Sequence, residues 1–162
     1  MKIQSESEMI KVAANLGNVM LNEITENYVI YLEGDLGGGK TTFVKGFMRG
    51  MSFDEVVNSP TFSLIERIEL LNHYVFHVDL YRINNQAELF ELDLHEESYL
   101  DKPAIHLIEW PQKGEDVILS PDLKITFKTL EDPNQREIFF EIFRLNWEII
   151  NSQYNYSIRF RC

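Results

Sequence analysis

The stretch "EGDLGGGKTTF", residues 33–43, gathers four of the chain's eight glycines within six positions and follows them with a lysine and two threonines. Gly34-x-x-x-x-Gly39-Lys40-Thr41 has the spacing of a phosphate-binding loop, the Walker A pattern. Glycine permits backbone conformations that side chains forbid, so consecutive N–H groups of Gly37, Gly38 and Gly39 can turn around one anion. A helix starting near Lys40 adds the positive end of its dipole. Lys40 supplies a mobile charge for β and γ phosphates, the Thr41 hydroxyl can ligate Mg²⁺, and Thr42 can hold an α phosphate. By chance the pattern arises in roughly one chain of this length in a few hundred.

Phosphate chemistry of this kind needs an acid to manage the metal. Asp79 closes the apolar run "VFHVD" and Glu109 closes "AIHLIE". Both are expected at the carboxyl edge of a buried strand, where open α/β sheets bind ligands. Either can hold Mg²⁺ directly or through water, leaving the other to orient an attacking water. His77 and His106 lie inside those apolar runs and read as core or lining residues rather than ligands. Tyr81 and Arg82 follow Asp79 and can steady the site or a partner. Trp110, after Glu109, fits a core residue, a nucleotide wall or a docking anchor.

Those residues need elements to present them. Met9, Ile10, Val12, Ala13, Leu16, Val19, Met20 and Ile24 recur at spacings of three and four, which predicts an amphipathic helix over 6–24. "NYVIYLEG" predicts a short buried strand ending at Gly34, and "KTTFVKGFMRGM" a helix, so the glycines join strand to helix. Pro60 in "NSPTFSL" breaks any helix. Two apolar runs follow, "FSLIERIEL" and "HYVFHVDLY", separated by a turn at 71–73 and able to pair antiparallel. "NNQAELFELDLHEESYL" predicts a helix with an asparagine cap and a solvated acidic face. "KPAIHLIEW" is a further buried strand, and "PDLKITFKTL" with "REIFFEIF" a hairpin around Glu131 to Asn134. The expected fold is α/β, a three-layer P-loop NTPase-like fold with a mixed central sheet.

The chain has 162 residues, enough for one core, with a domain expected over 1–145 and a C-terminal extension over 146–162. Its 26 acids against 15 bases give a net charge of −11, which repels phosphate backbones because the bases are scattered. A role in nucleic acid metabolism would run through a partner. No stretch approaches the roughly 20 apolar residues of a membrane span, and the start lacks a signal-peptide core. The lone cysteine, Cys162, allows no intrachain disulfide. A cytoplasmic protein with no membrane role is expected.

A base-reading Asn-Lys-x-Asp motif and a transporter signature loop are both absent, which sets aside guanine-specific switches and transporter ATPases. "GDLGGGKTTFVKGF", "NSPTFSLIE", "HVDLYRI" and "LIEWPQKG", in this order and spacing, closely resemble the TsaE (YjeE) family, across residues 5–140. The resemblance implies an ATPase, using ATP and Mg²⁺, that works with TsaB and TsaD subunits. These transfer threonylcarbamoyl to adenosine 37 of tRNAs reading ANN codons, and hydrolysis supports turnover of the complex. It places the phosphate loop on Gly37, Gly38, Gly39, Lys40, Thr41 and Thr42, and the metal on Thr41 and Glu109. Asp79 matches the acid needed for hydrolysis, Ser59 to Thr61 a switch-like loop, and Trp110 a tryptophan near the active site. Arg136 resembles a late arginine near the nucleotide base. Gly38 departs from the alanine frequent there, and the tail from Asn146 extends past the family's usual pattern. The alternatives are a small-molecule kinase and a non-hydrolysing, nucleotide-dependent interaction module.

Overall fold

A computed structural model describes residues 1–85, 87–90, 100–114 and 117–144. The elements in chain order are β1 (Lys2–Ile3), α1 (Glu6–Glu23), β2 (Tyr28–Gly34), α2 (Lys40–Gly50), β3 (Ile65–Glu69) and β4 (Tyr74–Asp79). There follow α3 (Ala87–Phe90), β5 (Ala104–Glu109), a 3₁₀ turn at Pro111–Lys113, β6 (Leu123–Thr129) and β7 (Arg136–Ile142). The predicted helix beyond Phe90 and the tail from Asn146 lie outside the described residues.

The seven strands form one sheet in the order β1-β7-β6-β2-β5-β4-β3. β6, β2, β5 and β4 run parallel, while β7 and β3 are antiparallel to their neighbours. The mixed α/β sheet expected from sequence is therefore present, with both expected strand pairs, β3–β4 and β6–β7. β1 is an addition: two residues pairing with Glu137 and Arg136, too short to leave a periodic signal.

Strand side chains alternate between faces, so parity sorts the apolar residues into two cores. Ile30, Leu32, Val75, Ile105, Leu107, Leu123, Ile125 and Phe127 pack with Met9, Ala13, Leu16 and Met20 of α1 and with Phe43, Val44 and Phe47 of α2. The other parity, Val29, Tyr31, Phe76, Val78, Ala104 and Ile108, is covered by Leu80, Ile83, Leu89 and Ile118. The result is three layers: a helix pair, the sheet, and a layer of turns and short helical pieces.

The α1 stripe predicted from sequence is the face that meets the sheet. Its start is set by Ser5, whose hydroxyl accepts from the Glu8 amide, with Glu6 and Glu8 in the first turn. α1 also packs closely on α2, where a Cβ on Gly17 would lie 2.1 Å from the Phe47 carbonyl oxygen. That contact locks in place the helix at whose N-terminus the phosphate loop ends.

Candidate active site

The glycine stretch does join β2 to α2. Gly34 pairs with Phe127 of β6, and a Cβ there would sit 2.5 Å from the Phe127 oxygen, so only glycine permits this approach. Gly37 and Gly39 have φ of 73° and 103°, the left-handed region that lets neighbouring N–H groups turn toward one side. Gly39 is the N-cap of α2 and makes no side-chain capping bond, which leaves the first amides of the helix available to an anion. A Cβ on Gly37 would meet nothing within 4 Å.

The two acids come together because of register. β4 and β5 run parallel with Asp79 opposite Glu109, and β2 lies beside β5 with Leu32 opposite Glu109. Asp79 shares parity with Val75, and Glu109 with Ile105 and Leu107, so both carboxylates face the α2 side. They are 4% and 3% exposed, low enough that each needs partners. The Thr41 hydroxyl donates to Glu109 Oε1 at 3.0 Å and Oε2 at 3.3 Å. Asp79 Oδ2 accepts from Ser59 and, at 3.0 Å, from Thr61, while its Oδ1 accepts from the Tyr81 amide at 3.0 Å. Ser59 and Thr61, the residues expected in a switch-like loop, thus hang on the acid expected to serve hydrolysis.

Lys40 is buried. Its ammonium donates to the carbonyls of Gly34 at 2.7 Å and Asp35 at 3.0 Å and lies 3.9 Å from the centroid of the Trp110 ring. Burial holds it below the ordinary lysine value, and the opposing pull of Glu109, Asp79 and Asp35 does not overcome this. A desolvated cation of this kind gains from an arriving polyphosphate. Trp110 reaches it from a left-handed backbone conformation, φ 59°, with Tyr81 against its ring at 5.0 Å.

A cavity of about 350 Å³ has the loop from Gly37 to Thr42 as one wall and Ser59, Thr61, Asp79, Glu109 and Trp110 around the rest. Of the residues expected to hold nucleotide or metal or to serve hydrolysis, Arg136 alone lies off this cavity. Its guanidinium donates to the carbonyls of Gly38 at 3.2 Å and Gly37 at 2.9 Å, bracing the loop from outside. It lines an adjoining cavity of about 310 Å³ that shares Gly37, Gly39 and Thr42 with the first and adds Ile3, Met9 and Pro133. His77, expected from sequence to be a core or lining residue rather than a ligand, lies beside the site. It is fully buried, yet its Nε2 lies 3.0 Å from Glu109 Oε1. The available signal was parity, since residues 77 and 79 point the same way.

The donor set suits a metal-bound nucleotide. Backbone amides and an ammonium match phosphate, and a threonine hydroxyl with two carboxylates matches a hard cation. Among the described residues no cluster of three or more His, Cys, Asp or Glu is arranged to hold a metal, so an ion here would complete its shell with phosphate oxygens and water. No helix among the described residues is long and apolar enough to cross a membrane.

Fold and site together define a P-loop NTPase-like, nucleotide-binding α/β protein. Residues 3–138 match the family described as "Threonylcarbamoyl adenosine biosynthesis protein TsaE", and the chain belongs to that family. It is 31% identical over 137 residues to the Haemophilus influenzae tRNA threonylcarbamoyladenosine biosynthesis protein TsaE, covering 84% of this chain and 85% of the relative. The Bacillus subtilis protein of the same name is 36% identical over 122 residues, covering 75% and 74%. The crystal structure of Bacillus subtilis YdiB superposes with a TM-score of 0.67 at 27% identity, covering 94% of this chain and 90% of that one.

Proposed function

We propose that the chain is an ATPase that supports the transfer of threonylcarbamoyl to adenosine 37 of tRNAs reading ANN codons, hydrolysing ATP to ADP and phosphate to reset the transfer complex. The observation that carries the catalytic half is the pairing of Asp79 with Glu109 at one sheet edge, across a cavity from Lys40 and Thr41. In this reading the amides of Gly37, Gly38 and Gly39 and the Lys40 ammonium bind the β and γ phosphates. Thr42 holds the α phosphate, and the adenosine half extends toward the cavity beside Arg136. Thr41 and Glu109 hold Mg²⁺, which when bound supplies charge neutralisation to the phosphates. Asp79, kept ready by Ser59, Thr61 and the Tyr81 amide, orients the attacking water. Lys40 and the loop amides then stabilise charge moving onto the leaving oxygens.

The pathway half rests on family membership and the relatives' names. The partners are TsaB-like and TsaD-like subunits, with tRNA engaged through them and the whole assembly in the cytoplasm. Two features support a covering partner. Leu36 and Phe62, next to the loop and to Thr61, are 72% and 89% exposed, apolar surface that a partner docking at the cavity mouth would bury. A phosphate loop alone also lacks a cation supplied from outside to stabilise the transition state, so basal turnover should be slow. The test is phosphate release by the full chain with and without TsaB and TsaD homologues of the same organism. A several-fold stimulation is expected, and equal rates would refute the proposal.

A further inference from the structure

We propose that His77 is a positioning residue, fixing through Nε2–H the Glu109 carboxylate that holds the metal; this rests on the assignment of Glu109 made above. His77 is on β4, one strand over from Glu109, and both side chains project to the α2 face, so the contact joins neighbouring strands on that face. His77 is 0% and Glu109 3% exposed. The 3.0 Å separation to an acceptor-only carboxylate assigns the ring proton to Nε2. Nδ1 has no hydrogen-bond partner among the described residues, which fits a bare acceptor better than a second buried N–H.

The consequence lies in which Glu109 oxygen remains available. Oε1 accepts from both His77 and Thr41 at 3.0 Å, whereas among the described residues Oε2 has only the 3.3 Å Thr41 contact. The terminal torsion of a glutamate is broad and roughly two-fold, so a carboxylate with one partner can rotate. A second donor from the rigid side of the site removes that freedom and leaves Oε2 as the oxygen to meet a cation. Thr41 is on the helix that receives the nucleotide, while His77 is on the sheet, so the two anchors tie the carboxylate to two different elements. Partners of this kind to metal-binding groups are worth roughly 10- to 100-fold in metal affinity.

Three variants of the full chain, His77→Gln, His77→Asn and Glu109→Ala, separate the possibilities. Gln carries an amide nitrogen far enough to replace the Nε2 donor; Asn does not. Mn²⁺ binding to the ADP complex, read by electron paramagnetic resonance, is the probe, with calorimetric ADP affinity in chelator as the metal-free reference. His77→Asn and Glu109→Ala should weaken Mn²⁺ binding by about tenfold or more, with His77→Gln within about threefold of wild type. The two His77 variants should keep metal-free ADP affinity, which a general loss of packing would not. Wild-type Mn²⁺ affinity in Glu109→Ala would defeat the metal assignment of Glu109 itself. Loss in Glu109→Ala with none in His77→Asn would defeat the role of His77 alone. If His77→Asn does not fold, His77→Leu, which fills the site without a donor, takes its place: a loss of about tenfold beside near-wild-type His77→Gln supports the role, and wild-type Mn²⁺ affinity in His77→Leu overturns it.

Discussion

The site's strongest single charge is a lysine already engaged by its own loop. Lys40 holds the Gly34 and Asp35 carbonyls and lies against Trp110, so an arriving phosphate must draw the ammonium across a short distance rather than order it from solvent. Charge-assisted hydrogen bonds are worth about 1.5–3 kcal/mol each, so Lys40→Ala should raise the ATP dissociation constant by roughly 10- to 150-fold. Titration calorimetry showing unchanged affinity would contradict the assignment. At this scale the motif residues were legible, because loop spacing and strand-end position each have a local chemical reason. Three things were not. The Lys40–Trp110 contact depends on a left-handed conformation at Trp110 that no local pattern announces. The brace from Arg136 to Gly37 and Gly38 joins residues about a hundred positions apart. His77 reads from sequence as a core or lining residue, and its contact with Glu109 needed a neighbour on another strand.

Among the elements, the α1–α2 pair decides how firmly the phosphate loop is held. Alanine at a helix-interior glycine ordinarily stabilises by about 1 kcal/mol. At Gly17 the added Cβ would lie 2.1 Å from the Phe47 carbonyl oxygen, a backbone atom of α2 that cannot swing away. Overpacking costs about 1–3 kcal/mol in typical cores and should outweigh the propensity gain. With a clash this close placing the cost at the upper end of that range, Gly17→Ala should lower stability by about 2 kcal/mol, seen as a reduced urea midpoint, and an unchanged or raised midpoint would mean the helices separate at little cost. The amphipathic stripe predicted α1, and apolar runs predicted β2, β4 and β5. Which strands lie side by side was less legible, since β2 accepts β5 on one edge and β6 on the other. That order is what places Glu109 between the loop and Asp79. β1 escaped prediction because two residues have no period; it pairs with β7, and Ile3 is buried in the core on the helix side.

For the molecule as a whole, charge decides what it can touch unaided. A net charge of −11 opposes a polyanion at every approach, and binding to nucleic acid gains mainly from releasing counterions through clustered bases. Five of the described cations are already committed: Lys40 and Arg136 to loop carbonyls, Lys102 to Glu69, Lys124 beside Glu33 and Glu141, Arg144 to Glu26. The purified chain should therefore fail to retain tRNA in a filter-binding assay at 0.15 M salt, with any dissociation constant weaker than about 10⁻⁴ M, the weak end of non-specific binding. Adding ATP should not change this, because a bound nucleotide brings further negative charge. Retention should appear only once TsaB-like and TsaD-like subunits are present. Micromolar retention by the chain alone would mean that a basic face assembles despite the overall charge, and tRNA would then be a direct ligand rather than one met through partners.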